Sequence, residues 1–240
     1  MTRLDDPELV AIEYADETRL KRRAGGYAGV GTPEDARYPL VEAVVASAPA
    51  RVLEVGCGWG ELSEWIARET GADVVATDLS PRMVELTRQR GVEAPVADAQ
   101  DLPFADGSFD VVVAAWMLYH LPDLERGLSE IARVIRPAGT FVAATNSRAH
   151  LTELRRLVGS GPSTLKFARE DGEEHLQPYF ASVERTDLDG VLTFADRAAV
   201  ADYVDASIAM SPYAANLPEE IPLPFEARRG SSVFVARKAS

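Results

Sequence analysis

Short apolar runs alternate with stretches of helical period through the middle of this chain. The clearest runs are Arg51–Val55, Asp73–Thr77, Val92–Val96, Phe109–Ala115 and Thr140–Thr145, each of strand length. Between them, Glu61–Thr70, Pro81–Arg90 and Asp123–Ile135 repeat apolar residues at spacings of three and four. Leu124, Leu128, Ile131, Val134 and Ile135 show it best, as an amphipathic helix requires. Strands buried on both faces read as unbroken apolar runs, and Val111-Val112-Val113-Ala114-Ala115 is one. The pattern therefore predicts an α/β fold, a mostly parallel sheet with helices on both faces. Helix ends agree with it: Ser80-Pro81 sets a capping hydroxyl before an N1 proline, and Gly71 and Gly91 stand where C′ glycines belong.

Outside this middle the pattern is weaker. Pro7–Arg23 and Glu34–Ser47 read as two helices, separated by the stretch Gly25-Gly26-Tyr27-Ala28-Gly29-Val30-Gly31, which is glycine-rich enough to act as a hinge. After Thr145 we expect helices near His150–Val158 and Ala195–Ile208, and strands near Ser182–Leu188, Gly190–Phe194 and Ser232–Ala236.

Composition narrows the functions open to such a chain. With 240 residues, 46% hydrophobic and 26% charged, it is long and apolar enough for a packed core, and one domain is the default. Against 38 Asp+Glu stand 25 Lys+Arg, a formal net charge of −13, which disfavours nucleic acid as a partner. The single cysteine, Cys57, has no partner for an intramolecular disulfide or a metal site, which fits a cytoplasmic, metal-independent protein. The N-terminus lacks an apolar signal region, and Val111–Tyr119, the longest apolar run, is about half a membrane span.

The strongest chemical signal is Val52-Leu53-Glu54-Val55-Gly56-Cys57-Gly58-Trp59-Gly60, a strand ending in glycines that leads into a helix. Glycines there admit a ligand close to the backbone, and the helix start offers free N–H groups. A nicotinamide fingerprint needs G-x-G-x-x-G, but Glu61 stands at the third glycine's position, where its charge would repel a pyrophosphate. A ligand without phosphates fits better. About twenty residues on, Asp78 ends the second strand, where a carboxylate accepts from ribose hydroxyls. Asp98, after the third apolar run, is placed to accept from an adenine amino group.

These residues lie in blocks that resemble the class I S-adenosylmethionine (SAM)-dependent methyltransferases, in the small-molecule branch called type 11 or UbiE-like. The blocks are LEVGCGWGELS at 53–63, VVATDLSPRMVELTR at 74–88, ADAQDLPFADGSFDVVVAAWMLYHL at 97–121 and IARVIRPAGTFVAATN at 131–146. The resemblance implies a Rossmann-like, seven-stranded sheet whose last strand is antiparallel, a role open to Ser232–Ala236. It implies one domain over 1–240, with an N-terminal helical lid at 1–48, a SAM-binding core at 51–146 and a variable acceptor-binding region at 147–230. By the same resemblance Glu54, Gly56, Cys57 and Gly58 surround the methionine part of SAM and Asp78 holds the ribose. Leu79 and Met83 line the adenine, Asp98, Ala99 and Gln100 recognise its edge, Ala115 and Trp116 close the site, and Tyr27 helps to cover it.

Methyl transfer is an in-line displacement, so alignment and exclusion of water carry much of the catalysis, and an oxygen acceptor also needs a base. Of the three histidines, His120 stands at the active edge of the sheet, ahead of His150 and His175. Relatives acting on sugar amines or natural products imply a histidine at the position of His120 facing the acceptor, joined by an aromatic residue of the N-terminal helix, here Tyr14. His120 also reads as a loop cap, Tyr14 as a packing residue, and the acidic cluster Glu170–Glu174 as a solvated turn. The expected function is methylation of a small molecule, with S-adenosylhomocysteine (SAH) as product. A non-catalytic SAM-binding protein and, less favoured, a nicotinamide-dependent oxidoreductase stay open as alternatives.

Overall fold

A computed structural model describes residues 4–25 and 35–240. Tyr27 and most of the glycine-rich stretch lie outside the described residues. Three helices come first: α1 (Pro7–Glu13), α2 (Thr18–Gly25) and α3 (Arg37–Ala46). The α/β core follows as β1 (Arg51–Val55), α4 (Glu61–Thr70), β2 (Asp73–Thr77), α5 (Pro81–Gln89), β3 (Phe109–Ala115), α6 (Leu124–Val134) and β4 (Ile135–Asn146). The remainder is α7 (Thr152–Val158), α8 (Gly172–Leu176), β5 (Ser182–Phe194), α9 (Arg197–Ala206) and β6 (Phe225–Arg237).

The six strands form one sheet in the order β2-β1-β3-β4-β6-β5. β1, β2, β3 and β4 pair in parallel, and β6 runs antiparallel to both β4 and β5. The seventh strand expected at Val92–Val96 is reduced to two parallel bridges, Val75 with Glu93 and Asp78 with Val96. Pro95 lies between those anchors and has no N–H to donate, so the edge cannot run as a continuous ladder. The expected strands at 182–188 and 190–194 are instead one 13-residue strand, because Gly190 stays paired with Arg229.

Successive residues of β3 serve opposite faces, which is why its apolar run is unbroken. Val112 and Ala114 pack with Leu128 and Ile131 of α6 on one side. Val111 and Val113 pack with Leu40 and Val44 of α3 and Ile66 of α4 on the other. Only residues 231–237 of β6 pair with β4, while the β5–β6 ribbon continues past the carboxyl end of β4 to Phe194 and Phe225. Leu154, Phe194, Val200, Tyr203 and Val204 join α7 and α9 to this overhang in a third apolar cluster. The overhang thus becomes a wall beside the carboxyl edge of the sheet.

At the N-terminus the single helix expected over Pro7–Arg23 is broken after Glu13. Tyr14 is the C-cap of α1, and the Asp16 carboxylate accepts from the Thr18 N–H at 2.7 Å, restarting the chain as α2. The acidic 170–174 stretch is more than a solvated turn. Glu170 accepts from Ser147 Oγ at 2.5 Å, Asp171 pairs with Arg148, and Gly172 begins α8 with Phe234 beneath it.

Candidate active site

A cavity of about 620 Å³ opens at the carboxyl ends of β1, β2 and β3, where the strand order reverses. Among its lining residues are Tyr14, Glu54, Gly56, Cys57, Gly58, Asp78, Leu79, Asp98, Ala99, Gln100, Ala115, Trp116 and His120. Of the residues singled out in the sequence, Met83 is absent from this lining: it is a fully buried residue of α5. Tyr27 is outside the described residues.

The glycine turn after β1 holds unusual backbone. Gly56 has φ +72°, and a Cβ there would sit 2.7 Å from the Met117 side chain; Gly60 has φ +79°, and a Cβ would lie 2.8 Å from the Thr87 Cα. Both the conformation and the space demand glycine. The turn is fastened to β2 through Asp78, whose carboxylate accepts from the N–H of Gly58 and the N–H of Ser80, each at 2.9 Å. Burial raises the Asp78 pKa against those hydrogen bonds. Glu54 is 2% exposed, accepts from Ser63 Oγ of α4, and is pushed up to about 8, chiefly by burial. Burial also raises the Cys57 thiol, whose Sγ lies 3.3 Å from Thr87 Oγ1.

On the next edge, Asp98 accepts from the Gln100 N–H at 2.8 Å and from its side-chain amide at 3.1 Å. The carboxylate therefore both caps this turn and faces the cavity. Trp116 has φ +55°, a left-handed conformation that a bulky residue rarely adopts, and its indole N–H donates to Asn146 Oδ1 at 3.2 Å. Glu61, at the start of α4, pairs with Arg37 at 3.6 Å.

Tyr14 and His120 meet across the mouth. His120 Nδ1 lies 2.7 Å from the Leu4 carbonyl, and because a carbonyl only accepts, Nδ1 carries the proton. Nε2 is then an acceptor, and it receives the Tyr14 hydroxyl at 3.0 Å. Burial pushes His120 down to about 4 and Tyr14 well above the ordinary phenol value. The pair is thus a neutral imidazole with an oriented phenol. Ser80 Oγ donates to the Tyr14 carbonyl at 2.7 Å, tying this corner to α5.

Several lining residues escaped the sequence reading: Asp35 and Arg37 before and in α3, Arg155 of α7, Ser163 and Arg229 of β6. An arginine on a helix or a serine in a loop reads as solvated surface, and the fold, not the local pattern, brings these groups to the cavity. His150 also lines it, and its Nδ1 accepts from the Gly230 N–H at 3.2 Å. His175 lies outside the lining, beside Glu125 at 3.4 Å.

Comparison with known proteins agrees with this geometry. A methyltransferase-domain family model matches residues 53–143. The methyltransferase GfsG of Streptomyces halstedii is 40% identical over 159 residues, 62% of this chain and 56% of that protein. The demethylmenaquinone methyltransferase of Clavibacter sepedonicus is 34% identical over 212 residues, 76% of this chain and 86% of that protein. The chain thus spans little more than half the length of some curated relatives and most of others. The N-methyltransferase NodS of Bradyrhizobium japonicum WM9, solved with SAH, shares the fold at TM-score 0.61 and 18% identity, covering 95% of this chain and 100% of that one. Fold and glycine turn define a class I methyltransferase domain. The chain belongs to the family of SAM-dependent methyltransferases, whose cofactor is SAM.

Proposed function

We propose that this protein transfers a methyl group from SAM to a hydroxyl or amine of a small molecule, with Tyr14 and His120 receiving the proton that the acceptor loses. The observation that carries the reading is one cavity lined on one side by the Gly56–Gly58 turn, Asp78 and Asp98, and on another by the Tyr14–His120 pair. On the cofactor side Glu54 lies beside the turn for the methionine moiety, Asp78 for the ribose, and Asp98 with Gln100 for the adenine edge. Ala115 and Trp116 flank the transfer position.

Bound against these residues, SAM would supply an electrophilic methyl for the acceptor atom. The proton released from the acceptor passes to Tyr14 Oη as the Tyr14 hydroxyl proton passes to His120 Nε2. Nδ1 meanwhile stays bonded to the Leu4 carbonyl, which fixes the ring and steadies the imidazolium. An imidazole near pKa 4 is too weak to ionise a hydroxyl beforehand, so the proton moves as the new bond forms. Relatives such as GfsG and the demethylmenaquinone enzyme, both named methyltransferases, support the reaction class.

The test is a thermal-shift comparison of SAM, SAH and NADH, each at about a hundred times its dissociation constant, followed by an SAH-release screen of hydroxyl and amine acceptors. A ligand of the folded state at that level adds about 2.7 kcal/mol, a shift of roughly 5–10 °C for a chain of this length. Stabilisation by both sulfur nucleosides and not by NADH is expected. Stabilisation by NADH alone overturns the proposal.

A further inference from the structure

The cavity also holds chemistry that methyl transfer leaves unused. Its lining includes the apolar residues Leu151, Leu165, Ile208 and Met210. The same lining includes Arg155 of α7, whose Nε is buried and has no hydrogen-bond partner among the described residues. Ser163, on the loop after α7, also lines the cavity with a buried Oγ lacking such a partner. The other arginine of this helix, Arg156, is exposed.

Two other cations of the lining, Arg37 and Arg23, are committed. Arg37 is bound to Asp35, while Arg23 is bound to Glu13 and the Ala206 carbonyl. The carboxylates of the lining, Asp35, Glu54, Glu61, Asp78 and Asp98, all come from the first hundred residues, so none stands on the wall built by α7, α9 and the ribbon. Burial lowers the Arg155 pKa, and the Arg155 charge helps hold His150 down at about 4. Leaving a cation buried without a counter-ion costs stability, and a chain of net charge −13 has carboxylates to spare.

We propose that Arg155, with Ser163, binds a carboxylate of the methyl acceptor. The acceptor is then an amphiphile with an apolar body against Leu151, Leu165 and Met210 and one anionic group at Arg155. The Arg155 guanidinium offers a positive charge to one anionic group, and its donor fork fits the two oxygens of a carboxylate. Calling this molecule the acceptor rests on the methyltransferase reading; the anion site itself does not.

The experiment uses matched pairs of aromatic and alkyl monocarboxylates and their primary carboxamides, together with the corresponding phosphate monoesters. Each is titrated into the full chain loaded with SAH, in wild type, Arg155→Gln and Arg155→Lys. Acids are expected to bind more tightly than their amides. Arg155→Gln should weaken the acids by about tenfold to a hundredfold and leave the amides unchanged, and Arg155→Lys should recover part of the loss. The ligand-free midpoint of Arg155→Gln should equal or exceed that of wild type, because the lost charge had no partner. Acids and amides that bind alike throughout, or an acid preference that survives in Arg155→Gln, overturn the site. A drop of several degrees in the ligand-free variant assigns Arg155 to the fold instead, and a preference for phosphate esters overturns the carboxylate assignment. Failure of SAH to bind defeats the methyltransferase reading separately, and the same pairs titrated into the free protein still decide the anion site.

Discussion

Glu54 sets the pH behaviour of the cofactor end. Its folded pKa of about 8 stands above the ordinary 4.5, so the folded protein holds this proton more tightly than the unfolded chain. Its contribution to stability is full below about 4.5 and is lost as pH rises through about 8. In the proposed site a ligand ammonium lies against this carboxylate and would favour its ionised form, so SAH binding at pH 7 should release a proton, and SAH affinity should rise with pH up to about 8. Calorimetry in two buffers of different ionisation enthalpy measures this, and equal heats in both refute it. Glu54→Gln should weaken SAH roughly tenfold to a hundredfold while making the ligand-free protein more stable at pH 8. At the other side, His120→Ala should cut kcat by about 10²–10⁴ with SAH affinity unchanged. Because the proposed proton route passes through both groups, Tyr14→Phe should fall in the same range and the double variant should be little worse than either. Additive losses would separate the two residues. Both were legible in the sequence as candidates, but their hydrogen bond, and the tautomer it selects, depend on a carbonyl at Leu4, over a hundred residues from His120.

The helical pair α1–α2 is held over the cavity by contacts from many parts of the chain. Tyr14 bonds to His120, Glu17 pairs with Arg82 of α5 at 3.1 Å, Arg22 with Asp202 of α9 at 2.5 Å, and Asp5 with Lys166 at 2.6 Å. Inside the pair, Glu13 is 2% exposed and takes both Arg19 and Arg23. Removing the more buried of its two partners, Arg23, leaves Glu13 with only the partly exposed Arg19, which destabilises this corner. In Arg23→Ala that loss should be felt locally, as faster hydrogen exchange over 7–23 and a raised acceptor KM with a near-normal global midpoint. Exchange unchanged over 7–23 would mean that the pair is not a separable cover. The apolar period announced a helix here but not its break, since Asp16 as a cap competes with continued helix on nearly even terms. The edge at 92–96 was misjudged for a related reason: apolar content suggested a strand, and Pro95 limits the ladder to two bridges.

Over the whole molecule, legibility follows sequence distance. The glycine turn, Asp78 and Asp98 lie within a few residues of the strand or bridge that precedes each, so local pattern singled them out, and all of them line the cavity. The wall carrying Arg155, Ser163 and Arg229 depends on β5 and β6 overhanging β4, a pairing of distant segments that composition does not encode. Buried titratable groups on both sides of the cavity then combine into one global pH profile. His120 and His150 are each held near 4, below the unfolded 6.5, so each contributes stability above 6.5 that is lost as pH falls through about 4. Glu54 acts in the opposite sense, losing stability as pH rises from 4.5 through 8, and burial pushes Asp78 in the same direction. Above 6.5 the histidines are neutral in both states and the carboxyls alone decide, so stability should climb as pH falls from 8 toward 6.5. Below 6.5 the two histidines together outweigh Glu54, at about 1.4 kcal/mol per pH unit for each group, and stability should fall. The thermal midpoint of the ligand-free protein is therefore expected to peak near pH 6.5. Glu54→Gln should flatten the alkaline side, and His120→Ala should nearly flatten the acid side down to about pH 4.5, because the one remaining histidine then only offsets Glu54. A midpoint that rises steadily from pH 4.5 to 8 would show that these groups are not held in the states their burial implies.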